Sequence, residues 1–458
     1  MHTNLLHSFA QHGMDLLLQE DAVLYEMLER EYERQRNTLA MVASSSIVDP
    51  SVLACEGMMP VNVTAEGYPK RRFHAGCTII DEIEQLAIER ARLAFKAQYA
   101  NVQPHCASSA NEIVMFSLLK AGDTILGMEL EHGGHLTHGA KASVSGQYFK
   151  AVGYGLDDEG VIDYEQVYEM ARRHRPRLII CGATAYPRVV DFAKFREIAD
   201  EVGAFLLADI THIAGLVVAG VHPSPIDHAH FTTTCTHKQL YGPRGGLVLI
   251  GRDYESPAPD GKRTLSELVQ FGVFPLFQGA PVQNVIAAKA RAFARLMTPE
   301  FQQLAHKIVA NARAIAQSFM SKDYKVISNG SDNHIVLVDL TGNGLSGIIA
   351  EKALEESNII VNKNKIPGDR RSATITSGIR PGTNSISLRE MGPAEMAHCV
   401  GLIDRVLKSV TVLGDREYIL DPAVKKSVQS DTRELCEAFP IPRYPAESFK
   451  ELSAHAHI

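Results

Sequence analysis

The chain has 458 residues, of which 45 % are hydrophobic and 22 % are charged, and its formal net charge is −7. This length allows about two or three domains with large cores, and the composition is typical of a soluble globular protein. The negative charge and the absence of a basic run argue against a nucleic-acid-binding protein.

The N-terminus and the cysteines bear on the compartment. The first ten residues lack a basic stretch followed by a long apolar core, so no secretory signal is predicted. No apolar run approaches the roughly 20 residues that span a bilayer. The seven cysteines are scattered, odd in number and without CxxC spacing, which indicates reduced thiols. We therefore expect a cytoplasmic protein without a membrane span.

Helix and strand patterns alternate along the first half of the chain. Helices are predicted at 20–40, 81–99 and 192–202, and strands at 124–130, 178–182, 204–208, 231–236 and 247–250. This alternation is typical of βαβ units around a mainly parallel sheet.

The second half has a different pattern. Residues 282–322 predict one or two long helices, followed by short strands at 334–340 and 358–361 and a helix at 393–410. We predict three parts, namely an N-terminal helical arm (1–60), a large domain (61–305) and a small C-terminal domain (306–458). The expected fold is α/β, with a large mainly parallel sheet domain and a smaller α/β domain.

Polar side chains follow two of the predicted strands. Asp209 ends one strand, with His212 three positions later, and His237 and Lys238 follow the next strand. In an open parallel sheet, residues at the carboxyl ends of strands line the ligand crevice. A lone lysine is usually a solvated surface cation. An acid at one strand end and an amine at the next are nevertheless what a pyridoxal phosphate (PLP) site requires.

Three histidines, His132, His135 and His138, stand close together and suggest a metal site. The HExxH pairing is absent, and the nearby acids Glu129 and Glu131 precede the first histidine. We therefore predict no metal.

Two segments carry a family resemblance. Residues 207–222 (LADITHIAGLVVAGVH) and 232–246 (TTTCTHKQLYGPRGG) are similar to signature segments of the serine hydroxymethyltransferases, and matching stretches run from about Tyr25 to Pro440. That resemblance implies a fold-type-I PLP enzyme with an amino acid substrate and tetrahydrofolate as co-substrate. It also implies a homodimer, or a dimer of dimers, with shared active sites.

The resemblance assigns cofactor contacts to matched residues. Lys238 would be the Schiff-base lysine, Asp209 would keep the pyridine nitrogen protonated, and His135 would stack over the ring. The remaining implied contacts are Ala107, Ser108, Thr184, His212, His237 and Gly279. Gly279 matches a segment that reaches the phosphate from the partner subunit.

Further matches concern the two substrates. Arg380 would clamp the substrate carboxylate, because a guanidinium fork grips a carboxylate bidentately, and Ser44 would assist it. Glu66 would be the acid/base for one-carbon transfer. The residues implied for the folate site are Phe73, Leu130, Gly134 and Asn364.

The sequence departs from the family near these residues. A Tyr-Tyr pair of the family is Phe73-His74 here, and Thr64, Tyr241 and Asn284 replace a Tyr, an Arg and a His. We count His74 among the catalytic candidates, since it would lie close to the substrate Cα. A smaller residue at this position leaves space for a methyl group on Cα.

Three functions stay open. The first is a folate-using hydroxymethyltransferase acting on glycine/serine or on D-alanine/α-methylserine. The second is a folate-independent aldolase or transaldolase for β-hydroxy amino acids, which the retained Glu66 and Asn364 disfavour. The third is a protein that only binds ligands or partners, which the joint retention of Lys238, Asp209, His135 and Arg380 disfavours.

Overall fold

A seven-stranded sheet forms the centre of the structure, which is a computed structural model describing residues 4–445. In spatial order its strands are Tyr99–Asn101, Gly246–Ile250, Phe231–Cys235, Phe205–Asp209, Leu178–Cys181, Thr124–Met128 and Lys150–Tyr154. Gly246–Ile250 runs antiparallel to both of its neighbours, and all other pairs in the sheet are parallel. The predicted mainly parallel sheet is therefore confirmed.

Helices cover both faces of this sheet, as a parallel sheet requires. Along Phe205–Asp209, Leu206 and Ala208 belong to one buried apolar cluster, whereas Leu207 belongs to another. Successive side chains of a strand point to opposite faces, so this single strand contributes to both cores. The main covering helices are Thr78–Phe95, Ala107–Leu118, Tyr164–His174, Phe192–Val202, Leu265–Phe271 and Gln283–Leu296.

A second, smaller sheet lies in the C-terminal part of the chain. Its four antiparallel strands are, in order, Lys325–Val326, Val338–Asp339, Gly378–Ile379 and Lys363–Asn364. The helices that accompany it are Pro299–Met320, Gly347–Glu356, Pro393–Lys408 and Pro422–Ala438. Leu39 and Met41 join its apolar core, because Leu39–Ala40 pairs in parallel with Ile359–Ile360.

The N-terminal part contains the helices Leu5–Glu20, Ala22–Arg36 and Pro50–Glu56. The first two have no buried residue, although both carry large apolar side chains. The predicted arm (1–60) and small domain (306–458) include residues 1–3 and 446–458, which lie outside the described residues. The three-part division stays a prediction.

None of the helices within residues 4–445 is long and apolar enough to cross a membrane.

Most predicted elements are present, and the differences have local causes. The helix predicted at 192–202 is found as Phe192–Val202, whereas the helix predicted at 81–99 ends at Phe95 because Lys96 is left-handed. The strand predicted at 334–340 is reduced to Val338–Asp339. Pro381 lies opposite the missing part of this strand. Because proline has no N–H to donate, it interrupts the hydrogen bonds between the two strands.

Candidate active site

A cavity of about 190 Å³ lies at the carboxyl ends of the strands Phe205–Asp209 and Phe231–Cys235. It is lined by Cys106, Ala107, Ser108, His135, Ala183, Thr184, Asp209, Thr211, His212, Cys235, His237 and Lys238. Every residue predicted to bind the cofactor, apart from Gly279, is in this set. The residues predicted to bind the cofactor thus lie together in the crevice at the carboxyl ends of the parallel strands.

Asp209 is held by three donors. Its Oδ2 accepts from Asn111 Nδ2 at 2.8 Å and lies 3.0 Å from His138 Nε2, and its Oδ1 accepts from the backbone N–H of Thr211 at 3.0 Å. Burial alone would raise the pKa of Asp209, but the hydrogen bond and charge of His138 and the charge of His135 lower it well below its usual range. A buried, ionised carboxylate therefore faces the cavity. Sequence reasoning did not assign Asn111 or His138 to this site.

The His135 ring is fixed by its neighbour Thr137. Its Nδ1 accepts from the backbone N–H of Thr137 at 3.2 Å and lies 2.8 Å from Thr137 Oγ1, which in turn accepts from Asn111 Nδ2. Burial lowers the pKa of His135 to about 4, so the ring is neutral near pH 7. A neutral flat ring at the cavity wall can stack on a planar cationic ligand.

Lys238 is a half-buried amine in contact with His212. Its Nζ lies 2.9 Å from His212 Nε2. Burial lowers the pKa of Lys238 from its ordinary value and lowers that of His212 well below its usual range. A lowered lysine pKa increases the share of the neutral amine, which is the nucleophilic form.

The helix Ala107–Leu118 points its N-terminus at the same cavity. Cys106 occupies the N-cap position and accepts from the backbone N–H of Ser109 through Sγ at 3.4 Å. The first-turn N–H groups of a helix have no intrahelical acceptor, and together with the helix dipole they favour an anion. Ala107 and Ser108 lie in this first turn, and their contact with a phosphate stays a prediction.

Lys289 stabilises the backbone beneath this turn, and sequence reasoning missed it. Its Nζ donates to the carbonyl oxygens of Val102, Pro104 and Gly246 at 2.6, 3.2 and 2.8 Å. It forms no direct ion pair among the described residues, and burial, opposed in part by the charge of Glu84, lowers the pKa of Lys289 to about 7. One side chain therefore donates hydrogen bonds to three carbonyls from two chain segments.

We expect Lys289→Met to lower the free energy of unfolding by about 3 kcal/mol, because three carbonyl oxygens lose a donor, although that of Pro104 keeps the N–H of Gly246. PLP affinity should fall with it, since Pro104 precedes the phosphate turn. Urea unfolding and a PLP titration measure the two effects. Lys352→Met, at an exposed position, serves as the control. Equal stability of the two variants would contradict this role.

Arg380 is a buried guanidinium without a neutralising acid in the described part of the chain. It donates to the carbonyl oxygen of Thr184 and lies 3.4 Å from Asn362 Oδ1. Burial lowers the pKa of Arg380 to about 10, so it stays charged near neutrality. A buried, uncompensated cation is costly, and an anionic ligand would relieve that cost. Thr184 links Arg380 directly to the cavity wall.

Ser44 follows a segment that packs against the residues after Arg380. Val42 forms a bridge with Pro381, and the backbone N–H of Gly382 donates to Met41 at 2.7 Å. An added Cβ on Gly382 would lie 2.3 Å from the Cα of Ala43, so only glycine fits there. This close packing brings the Ser44 region next to the Arg380 loop.

Four predicted residues lie elsewhere and form a second group. Glu66 Oε2 is 3.5 Å from His74 Nε2, and Glu66 Oε1 would be 3.4 Å from a Cβ added to Gly279. The ring of Phe73, which is 74 % exposed, packs against Phe274 with centroids 5.5 Å apart. We call these five residues the Glu66 cluster. None of them lines the Lys238 cavity, so within one described chain Glu66 and His74 do not join Lys238.

The remaining folate candidates lie on two linked segments. Leu130 is 45 % exposed, and Gly134 is so close to the carbonyl of Met128 that a Cβ would lie 2.0 Å from its oxygen. Asn364 lies on the short strand Lys363–Asn364. The ion pair between Lys365 Nζ and Glu131 Oε1, at 2.7 Å, joins the two segments.

The histidine run separates in the structure. His132 Nδ1 accepts from the backbone N–H of Leu156 at 3.1 Å, apart from the other two histidines. In the described residues, ligand atoms of His135, His138 and Asp209 lie within 4.8 Å of one another and could hold an ion. His138 is already bonded to Asp209 and His135 to Thr137, so we assign these groups to an organic ligand. The absence of a metal stays a prediction.

A comparison with known protein families adds an independent finding. Residues 17–403 match the family model described as serine hydroxymethyltransferase. The matched range covers most of the chain and includes both the Lys238 cavity and the Glu66 cluster.

Proposed function

The chain belongs to the serine hydroxymethyltransferase family, and on that premise we propose that it transfers a hydroxymethyl carbon between a β-hydroxy amino acid and tetrahydrofolate. Enzymes of the family use PLP, with tetrahydrofolate as co-substrate. The observation that carries the proposal is the meeting of Lys238, Asp209 and His135 in one cavity at the strand ends.

The donor set of the cavity fits PLP. When bound, PLP supplies an aldehyde that condenses with an amine and a cationic ring that accepts electrons from the substrate Cα. Asp209, kept ionised by His138 and Asn111, would hold the proton on the ring nitrogen. The N-terminus of the helix Ala107–Leu118 would hold the phosphate. In the part of the chain that the structure describes, Lys238 is the one lysine that lines the cavity.

The carboxylate of the amino acid would bind between Arg380 and Ser44. Arg380 donates only to neutral oxygens in the described structure, which leaves its charge for the substrate. Its anchoring to Thr184 would orient the substrate Cα towards the cavity. His135, held by Thr137, would stack on one face of the bound ring and exclude water from that face.

We propose that the Glu66 cluster completes the active site of a second copy in a homodimer. The cluster carries the acid/base Glu66, yet it lies apart from the Lys238 cavity of its own chain. Apolar side chains are left uncovered near it: Ile79, at the start of the helix Thr78–Phe95, is 64 % exposed, and Phe73 of the cluster is 74 % exposed. Exposed apolar surface of this kind marks an interface with another chain.

Folate would bind between the linked segments of Leu130 and Asn364 and the Glu66 cluster of the partner. Leu130 and Phe73 are exposed apolar side chains suited to a flat ring, and Asn364 adds an amide that can pair with it. Glu66 would then move a proton during transfer of the carbon.

His74 is our candidate for substrate selection. It contacts Glu66, and it is smaller than the tyrosine found at this place in the family. The space gained would accept a methyl group on Cα, so we propose D-alanine and α-methylserine as the favoured pair.

We expect His74→Tyr to shift the ratio of kcat/KM towards glycine and serine by about 10- to 100-fold, because discrimination of one methyl group has this size. Steady-state rates with both amino acid pairs measure the ratio. Thr64→Tyr, the neighbouring departure, is the matched control. A ratio unchanged in His74→Tyr would contradict a role of His74 in selection.

The visible spectrum of the PLP-loaded protein tests the function. We expect a long-wavelength band with D-alanine that rises only when tetrahydrofolate is present. The same response with glycine instead would indicate serine chemistry. If folate had no effect with either amino acid, a folate-independent aldolase or transaldolase would replace the proposal. Failure to bind PLP would contradict all of these enzyme functions.

We also propose a cytoplasmic location. All seven cysteines lie in the described part of the chain and are free thiols. Free thiols of this number are typical of a reducing compartment.

A further inference from the structure

His334 lies directly beside His212, and no sequence pattern selects it. Its side chain is fully buried, and its ring stacks on that of His212 with centroids 5.6 Å apart and an angle of 17°. The preceding residue, Asn333, fixes the segment by donating to the carbonyl of Tyr186 at 2.9 Å and accepting from the backbone N–H of Ile335 at 2.8 Å. His334 is therefore held rigidly beside a residue that contacts Lys238.

The proton of His334 can be placed from its neighbours. Its Nε2 lies 3.0 Å from the carbonyl oxygen of Ala43, which can only accept, so Nε2 carries the hydrogen. Burial lowers the pKa of His334 to about 3, so the ring is neutral and Nδ1 carries none. Nδ1 is buried without a hydrogen-bond partner in the described structure, as expected for a bare nitrogen that no donor reaches.

This placement determines the tautomer of His212. His212 Nδ1 lies 3.5 Å from the N–H-bearing Nε2 of His334. That distance is at the long limit of a hydrogen bond, and a hydrogen on His212 Nδ1 would meet a nitrogen that already carries hydrogen and cannot accept it. His212 Nδ1 is then bare, and the single proton of the neutral ring is on Nε2. Since Nε2 contacts Lys238 Nζ at 2.9 Å, the amine must present its lone pair.

We propose that His334 is a positioning residue that holds His212 in its Nε2-protonated tautomer and so keeps Lys238 a neutral amine. The inference rests on the proposed function in that Lys238 condenses with the cofactor aldehyde, forming a C=N bond and releasing water. Only the neutral amine can do this, so His334 prepares Lys238 for cofactor binding without touching the cofactor.

Other charged groups also act on Lys238. Arg380 and Arg244 disfavour the ammonium, whereas Asp209 favours it. His334 is thus one contribution among several, and its removal should shift the balance rather than reverse it.

The test is the rate of PLP attachment to the cofactor-free protein, measured by visible absorbance across a pH series. In His334→Phe, His212 is free to place its proton on Nδ1, and a bare Nε2 would then stabilise the ammonium of Lys238. The pKa of Lys238 rises, so the midpoint of the rate profile moves to higher pH. A shift of about one pH unit makes attachment about tenfold slower below the midpoint.

Two variants separate this role from simple packing. His334→Gln can still donate to the carbonyl of Ala43, and we expect the midpoint of its rate profile to equal that of the wild type. His222→Leu removes another buried histidine, one that accepts from the backbone N–H of Val190, and should lower the melting temperature without moving the midpoint. Equal midpoints for wild type and His334→Phe would overturn the inference, as would an equal shift in His222→Leu.

A second measurement does not depend on PLP. Nitrogen-15 NMR of histidine-labelled, cofactor-free protein reports the tautomer of each ring. We expect His212 protonated on Nε2 in the wild type and on Nδ1 in a substantial share of His334→Phe. A wild-type His212 protonated on Nδ1 would overturn the inference, whereas failure of the wild type to bind PLP would contradict only the proposed function.

Discussion

Lys238→Ala should lose covalent PLP attachment and lower turnover by about 10⁴-fold or more, as expected when a covalent catalyst loses its nucleophile. The structure explains the size of the effect. Among residues 4–445, Lys238 is the one lysine lining the cavity, and the buried Lys289 is engaged with three carbonyls. Visible absorbance after dialysis and steady-state kcat measure the two losses.

The control for this prediction is Lys307→Ala, which removes a lysine that pairs with Glu390 and does not line the cavity. It should keep its visible absorbance and its rate. The melting temperature of cofactor-free Lys238→Ala should equal or exceed that of the wild type, because a half-buried amine is removed. Turnover close to wild type in Lys238→Ala would refute the assignment of the cofactor lysine.

Sequence alone predicted the centre of the site because two local patterns coincide there. Buried strands are recognisable from short apolar runs, and parallel strands end on the same edge of the sheet. Asp209 and Lys238 follow such runs directly, so their meeting in space was predictable. The resemblance to a family then added Arg380 and the phosphate turn, which no periodicity indicates.

The supporting residues could not be predicted in the same way. Asn111 and His138 reach Asp209 across 98 and 71 positions of the chain, and His334 reaches His212 across 122. Each is a single polar residue in a buried element. The sequence shows that the residue is polar but does not show which distant group it hydrogen-bonds. Only the fold shows which group each of them contacts.

Glu66 shows a further limit, because the sequence indicated the residue but not its place. Within one chain Glu66 does not lie beside Lys238, since it contacts His74 and lies next to Gly279 instead. The segment is firmly held there, as Arg72 pairs with Asp81 and with the buried Glu84 at 2.8 and 2.7 Å. A rearrangement within the chain would break this buried network, so a second chain is the simpler way to complete the site.

Glu66→Gln should lower folate-dependent transfer by about 10²- to 10⁴-fold, the usual contribution of a general acid or base, while PLP still attaches normally. Glutamine keeps the size and the contact with His74 but cannot exchange the proton. The transfer rate with tetrahydrofolate and the visible spectrum measure the two properties. Glu82→Gln, an exposed neighbour, should behave as wild type. Full transfer activity in Glu66→Gln would refute the acid/base role.

Mixing the two inactive variants then decides where Glu66 acts. If the Glu66 cluster serves the partner, a hybrid of Lys238→Ala and Glu66→Gln chains contains one site with both changes and one intact site. After unfolding and refolding a 1:1 mixture, about a quarter of the wild-type activity should return, because half of the dimers are hybrids with one working site each. If Glu66 served its own chain, every site would carry one lesion and no activity would return. Recovery therefore requires a shared site, which the separation of Glu66 from Lys238 in the single chain predicts.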